Sequence, residues 1–284
     1  MGTSGAYTGA GGKPGRDIAA GMAVWIDGLT GGGDGNVGGG NPPDGPPPAD
    51  DLPPPDRPPV ELPPQLVQGL LSLLRPRTAS GGGADGPARG SGGRRTSSRI
   101  GAGSGGTGLR RSAARAARTT GRAGSAAYAY ATGDRAGLQA IGLDFDSLRR
   151  LDDPVEVARR LVEAACGPLS NGTIEDYEER YAAATVAEWV LTESDAGNPP
   201  TPEEIARYSI ATVIAEVFAT EMTQHLQAHP ESVAEVAESE LAAAAQVLAS
   251  KAELSVVSVT PEELSAAIEA GIETLRRIYG AGGS

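Results

Sequence analysis

Residues 201–226, TPEEIARYSIATVIAEVFATEMTQHL, decide the fold class. Thr201 stands as an N-cap, Pro202 fits the first helical turn, and Glu204 falls where a carboxylate reaches back to the cap. Behind this capping box, Ile205, Tyr208, Val213, Ile214, Val217, Phe218, Met222 and Leu226 recur at helical spacing, and Pro230 closes the segment. Thr260-Pro261-Glu262-Glu263 repeats the box, followed by Leu264, Ile268, Ile272, Leu275 and Tyr279, with Gly280 as the stop.

Working outward, Leu151, Val155, Ala158, Leu161, Val162 and Ala165 form an apolar stripe ending before Gly167-Pro168. Thr173 with Asp176 caps a helix carrying Ile174, Tyr177, Tyr181, Val186, Trp189 and Val190, and a further helix runs from about Glu231 to Leu254. Ser255–Val259 reads as strand or loop. From Leu109 an Ala-rich helix is expected, weakened by Gly121 and Gly124 and ended by Gly133. These patterns predict an all-α domain of about six or seven helices over residues 109–280.

The first 108 residues differ in kind. They hold 29 of the 41 glycines and 15 of the 22 prolines, a composition that predicts a long disordered tail over 1–108. Residues 42–64 favour extended polyproline II, and 75–108 read as a flexible Gly/Ser/Arg linker. Two apolar islands interrupt the tail. One spans 19–29 around Trp25. The other spans 65–74, with Pro64 placed as a first-turn proline and Leu66, Leu70 and Leu74 behind it. Both are too short to be stable alone and are expected to order on docking, against this chain's body or a partner.

Charge divides along the same lines. Residues 1–135 carry 15 Lys/Arg against 10 Asp/Glu, whereas 136–284 carry 9 against 26. Segment 75–122 holds 11 arginines and one acid, Asp85. Arg111, Arg115, Arg118 and Arg122, spaced four, three and four apart, form a basic stripe on one helical face. It suits an acidic protein surface or phosphates, but lacks the interleaved aromatics of a single-strand binder. The acidic body argues against wholesale nucleic-acid binding.

Candidate chemistry is thin. Gly101-Ala-Gly103-Ser-Gly105-Gly106 matches a dinucleotide fingerprint without its preceding strand or later acid, so it reads as linker. Glu221, His225 and His229 share a helical face, but nothing completes a tetrahedral metal site. Cys166 ends an apolar stripe and reads as a small buried residue. With one cysteine, no apolar run long enough to span a membrane and no secretory signal, the expected location is cytoplasmic and off the membrane. Neither a catalytic residue nor a cofactor is expected. Removal of Met1 leaves Gly2 with a free amine, and Ala6 breaks the myristoylation pattern.

Several of these pieces together resemble the QatB family, the B component of the Qat antiphage defence systems of bacteria. The shared features are the Met1-Gly2-Thr3-Ser4 start, the Gly/Pro-rich tail and basic segment, Leu-Arg-Arg-Leu at 148–151, Cys166-Gly167-Pro168, and Gly172-Thr173-Ile174-Glu175-Asp176. Trp25-Ile26-Asp27 stands where the family carries a Pro-Pro-Trp-type motif, here with no proline directly before it. The resemblance implies a non-enzymatic subunit working beside an ATPase, a TatD-like nuclease and a QueC-like enzyme that makes deazapurine nitriles. It also implies that the QueC-like partner modifies Gly2. The competing expectation is a nucleic-acid-binding accessory protein acting through the arginine-rich helix.

Overall fold

The computed structural model describes residues 13–30, 62–75, 111–151, 153–167, 174–226, 231–256 and 258–280. Within them the chain forms α1 (Lys13–Thr30), α2 (Pro64–Leu71), β1 (Leu74–Arg75), β2 (Arg111–Ser112), α3 (Ala113–Thr132), α4 (Arg135–Ala140), α5 (Phe145–Arg149), α6 (Pro154–Cys166), α7 (Ile174–Asp195), α8 (Pro202–Leu226), α9 (Glu231–Ser250) and α10 (Pro261–Gly280). The protein is all-α. Its two-residue strands make a single parallel bridge, Leu74 beside Arg111 and Arg75 beside Ser112.

The capping box of α8 forms as the sequence predicts, and at α10 its N-cap half forms. At α8 the Glu204 N–H donates to Thr201 Oγ1 at 3.3 Å, and the Thr201 N–H donates to Glu204 Oε2 at 2.7 Å. At α10 the Glu263 N–H donates to Thr260 Oγ1 at 3.4 Å, while its carboxylate also takes the Ser258 hydroxyl. Gly133 ends α3 with φ +75°, a left-handed turn that favours glycine. Ser255, Val256, Ser258 and Val259 are loop, which settles the strand-or-loop alternative. The body from α3 to α10 has eight helices among the described residues rather than six or seven. The additions, α4 and α5, have six and five residues, too few to show a helical period. Each starts on an aspartate whose carboxylate accepts a backbone N–H, Asp134 from Gly137 at 3.0 Å and Asp144 from Ser147 at 2.8 Å.

Helix α3 is the centre of the body, packing against α7, α10, α6, α8 and α4. It begins at Ala113 rather than Leu109, because Arg111 and Ser112 belong to the bridge and the Ser112 hydroxyl caps the helix. Gly121 and Gly124 do not interrupt it; they are where neighbours approach most closely. A Cβ on Gly121 would lie 2.8 Å from the Ser265 nitrogen of α10, and one on Gly124 would lie 2.7 Å from Ile205 Cγ2 of α8. Ala117, Ala123, Ala126 and Ala127 are buried around them. Small residues bring the helix axes together here, so α3 contributes close contact rather than large side chains.

Both apolar islands of the tail dock on the chain's own body. Ile18, Met22, Trp25 and Ile26 line the buried side of α1, which packs on α2, α8 and α9. Leu66, Val67, Leu70 and Leu71 line that of α2, which also packs on α10. All join one continuous hydrophobic cluster with α3 and α6 to α10. This assigns Trp25, Leu66, Leu70 and Leu74 to the internal core and not to an exposed partner-docking surface: each is at most 3% exposed, so no partner reaches them while the helices stay packed. The cost of that burial includes Trp25 Nε1, which has no hydrogen-bond partner among the described residues. The rest of residues 1–108, Gly2 included, lies outside the described residues.

Candidate functional site

The basic stripe divides into three environments. Arg111 lies in the β-bridge, off the helix that was to carry it. Arg115, in the first turn of α3, turns to α7, where its guanidinium binds the Asp176 carboxylate and its Nε lies 2.7 Å from Glu179 Oε2. Asp176 is only 5% exposed, so this pair ties the start of α7 to the centre of the body. Its expected cap partner, Thr173, lies outside the described residues. Beside the pair, Glu178, Glu216 and Leu74 help to line a cavity of about 130 Å³, and Thr220 donates to Glu178 Oε1 at 3.2 Å.

Arg118 and Arg122, one turn apart, lie further along the same helix. They line a groove of about 890 Å³ bounded by α3, α4 and α10, whose opposite side carries Glu262 and Glu269. Neither arginine makes a hydrogen bond or ion pair from its side chain among the described residues. Of the stripe's three arginines whose side chains are described, one is held in an ion pair with α7 and two lie over a groove of mixed charge.

No group of His, Cys, Asp and Glu that would hold a metal occurs among the described residues. Glu221 is described, whereas the side chains of His225 and His229 lie outside the described set. Cys166 is half-buried, and burial pushes its thiol pKa up, with Arg180 opposing the shift. A raised thiol pKa leaves little thiolate at neutral pH. On α6, Glu156 accepts from both Arg159 and Arg160, and these hydrogen bonds bring its carboxyl down to about 2. That network lies on the outer surface of α6, with Glu156 itself partly covered. No described helix is long and apolar enough to cross a membrane.

The structure also exposes side chains that the sequence pattern places in buried stripes. Val155 on α6 is 72% exposed, and Tyr177 and Tyr181 on α7 are 58% and 63% exposed. The inward face of α7 is built instead from Ala182, Ala183, Val186, Ala187 and Val190. Apolar residues therefore occupy two sides of α7, and a band wider than one buried stripe is the sequence signal of a second contact face. Between α6 and α7 this outer side forms a groove of about 660 Å³.

Compared with family models, with curated proteins and with solved structures, the chain matches none.

Proposed function

We propose that this protein is a non-enzymatic subunit of a Qat-like bacterial antiphage system, in which the helical body docks partner subunits and a QueC-like partner modifies Gly2. The observation that supports this reading is where the residues of the QatB resemblance fall. Leu148 is buried at the end of α5, Cys166 and Gly167 close α6, and Asp176 is the carboxylate that Arg115 holds. Of these, Asp176 ties α7 to α3 through Arg115, and Gly167 accepts a hydrogen bond from Arg180 of α7. A shared sequence pattern at such joints fits a shared body, and the resemblance to a defence subunit rests there rather than on a reaction centre. The ATPase and the QueC-like enzyme are the partners this reading names.

The test is intact-mass spectrometry of the full chain co-expressed with the QueC-like neighbour. A mass addition is expected on the native chain and its absence on Gly2→Pro. An unmodified native terminus under those conditions contradicts the proposal.

One observation favours the nucleic-acid reading: the guanidiniums of Arg118 and Arg122 have no ion-pair partner among the described residues. Two phosphate contacts give a salt slope no steeper than about −2 in log–log form. Salt-sensitive DNA binding lost on Arg118→Glu with Arg122→Glu would support it, and no binding at low salt would remove it.

A further inference from the structure

Three of the seven large hydrophobic side chains that the described residues leave exposed, Val155, Tyr177 and Tyr181, sit on the α6–α7 hairpin. They are not scattered. Val155, Ala158 and Val162 line one wall of the hairpin groove, and Tyr181, Ala184 and Leu191 line the other. The intervals are three, four and seven residues, so each wall is a helical seam, and the groove runs from exposed Val155 and Tyr181 down to buried Val162. A tyrosine anchor, Tyr181, beside aliphatic walls is the composition of a contact surface's energetic centre.

The backbone of the groove decides the shape of its occupant. Both walls are α-helices whose N–H and C=O groups are bonded within the helix, so they have no main-chain partners for an extended segment. A helix, with its own backbone already satisfied, brings only side chains and lies in the trough as a third bundle member.

Charge decides the occupant's chemistry. On the basic side, Arg159 is engaged by Glu156 and Glu163, and Arg180 donates to the Gly167 carbonyl. Glu188 and Asp195 in the groove, with Glu193 beside them, make no ion pair among the described residues. The Gly167 carbonyl is neutral, so Arg180 keeps its charge; Glu188 and Asp195 outnumber it and leave the rim net acidic. We propose that this groove binds an amphipathic helix of a partner protein, apolar along one face, with Lys or Arg placed to meet Glu188 and Asp195. A second copy would bring the same acidic rim and a net charge of −12, and the chain's own Pro-rich stretch brings Asp44, Asp50, Asp51, Asp56 and Glu61 against Arg57 alone. Both are disfavoured by like charge. The proposal stands on the hairpin and does not depend on the antiphage reading.

The test uses the full chain and two synthetic helical peptides of about eighteen residues, roughly 27 Å of helix. They share one leucine seam; one is flanked by lysines and the other by glutamates. Fluorescence anisotropy should show the lysine peptide binding at least about tenfold more tightly, a difference of about 1.4 kcal/mol. Tyr181→Glu should remove most of that affinity, and Glu188→Lys with Asp195→Lys should reverse the preference. Val247→Glu, an exposed apolar site on α9, should change nothing. Because Tyr181 is exposed, unchanged circular dichroism checks that its variant still folds. Equal binding of both peptides, binding by neither, or binding indifferent to Tyr181→Glu overturns the proposal. Self-association abolished by Tyr181→Glu overturns it too, and assigns the groove to a second copy.

Discussion

Helices α1 and α2 and helix α3 meet the same core by opposite means. The first two bring Met22, Trp25, Ile26, Leu66, Leu70 and Leu71, large side chains on helices that come from a stretch of chain otherwise rich in glycine and proline. Helix α3 brings alanines and glycines, and lets its neighbours' side chains and backbone come to it. Hydrophobic area holds the first pair in place, whereas the closeness of the axes places the second. One arrangement fails when side chains are removed and the other when side chains are added.

That asymmetry sets the expected order of effects. Gly121→Leu should be the most damaging, because its side chain meets the backbone of Ser265, which cannot rotate away. The cooperative unfolding transition seen by far-UV circular dichroism is expected to disappear. Retention of a near-native transition would show that α3 and α10 can separate freely. Leu70→Ala removes a fully buried side chain from α2 and should cost about 2–5 kcal/mol in urea denaturation. A loss well below about 1 kcal/mol would mean that α2 contributes little to the core.

Arg115→Ala should cost less, about 1–2 kcal/mol, because the guanidinium is half-exposed even though Asp176 is buried. Asp176 has further interactions, which limit the loss. The loss should shrink when Asp176→Asn is combined with it, as a double-mutant cycle would measure. Smallest is Gly28→Ala on α1. A Cβ there meets nothing within 4 Å, so helix propensity alone acts and stability should rise by at most about 1 kcal/mol. A loss there instead would place a close neighbour beside α1.

Much of this was legible in the sequence wherever chemistry is local. Capping boxes specify their helix starts within four residues, and both threonines cap the helices expected of them. The anchor segments were visible because leucines and a tryptophan stand out in Gly/Pro-rich sequence. Their destination was not, since nothing within residues 19–29 or 65–74 says whether the surface that receives them belongs to this chain. Helix α3 was legible as a helix and misread as to role. Four arginines at helical spacing suggested an exposed basic face, but the backbone at Arg111 pairs with Leu74, 37 positions earlier, so it is off the helix, and Arg115 is held by acids some 60 positions later. The α6–α7 groove was hidden for a related reason. Period marks apolar faces, but it cannot tell which of two faces on one helix turns inward.

The central claim is that the segments before residue 76 belong to the same cooperative core as α3. Trp25 reports on it directly in a Trp189→Phe variant, where it is the sole tryptophan. The account predicts blue-shifted Trp25 emission in native buffer and a urea transition that coincides with the loss of helical circular dichroism. Emission typical of water-exposed indole before any urea is added, or a Trp25 transition completed while the body remains helical, would contradict it.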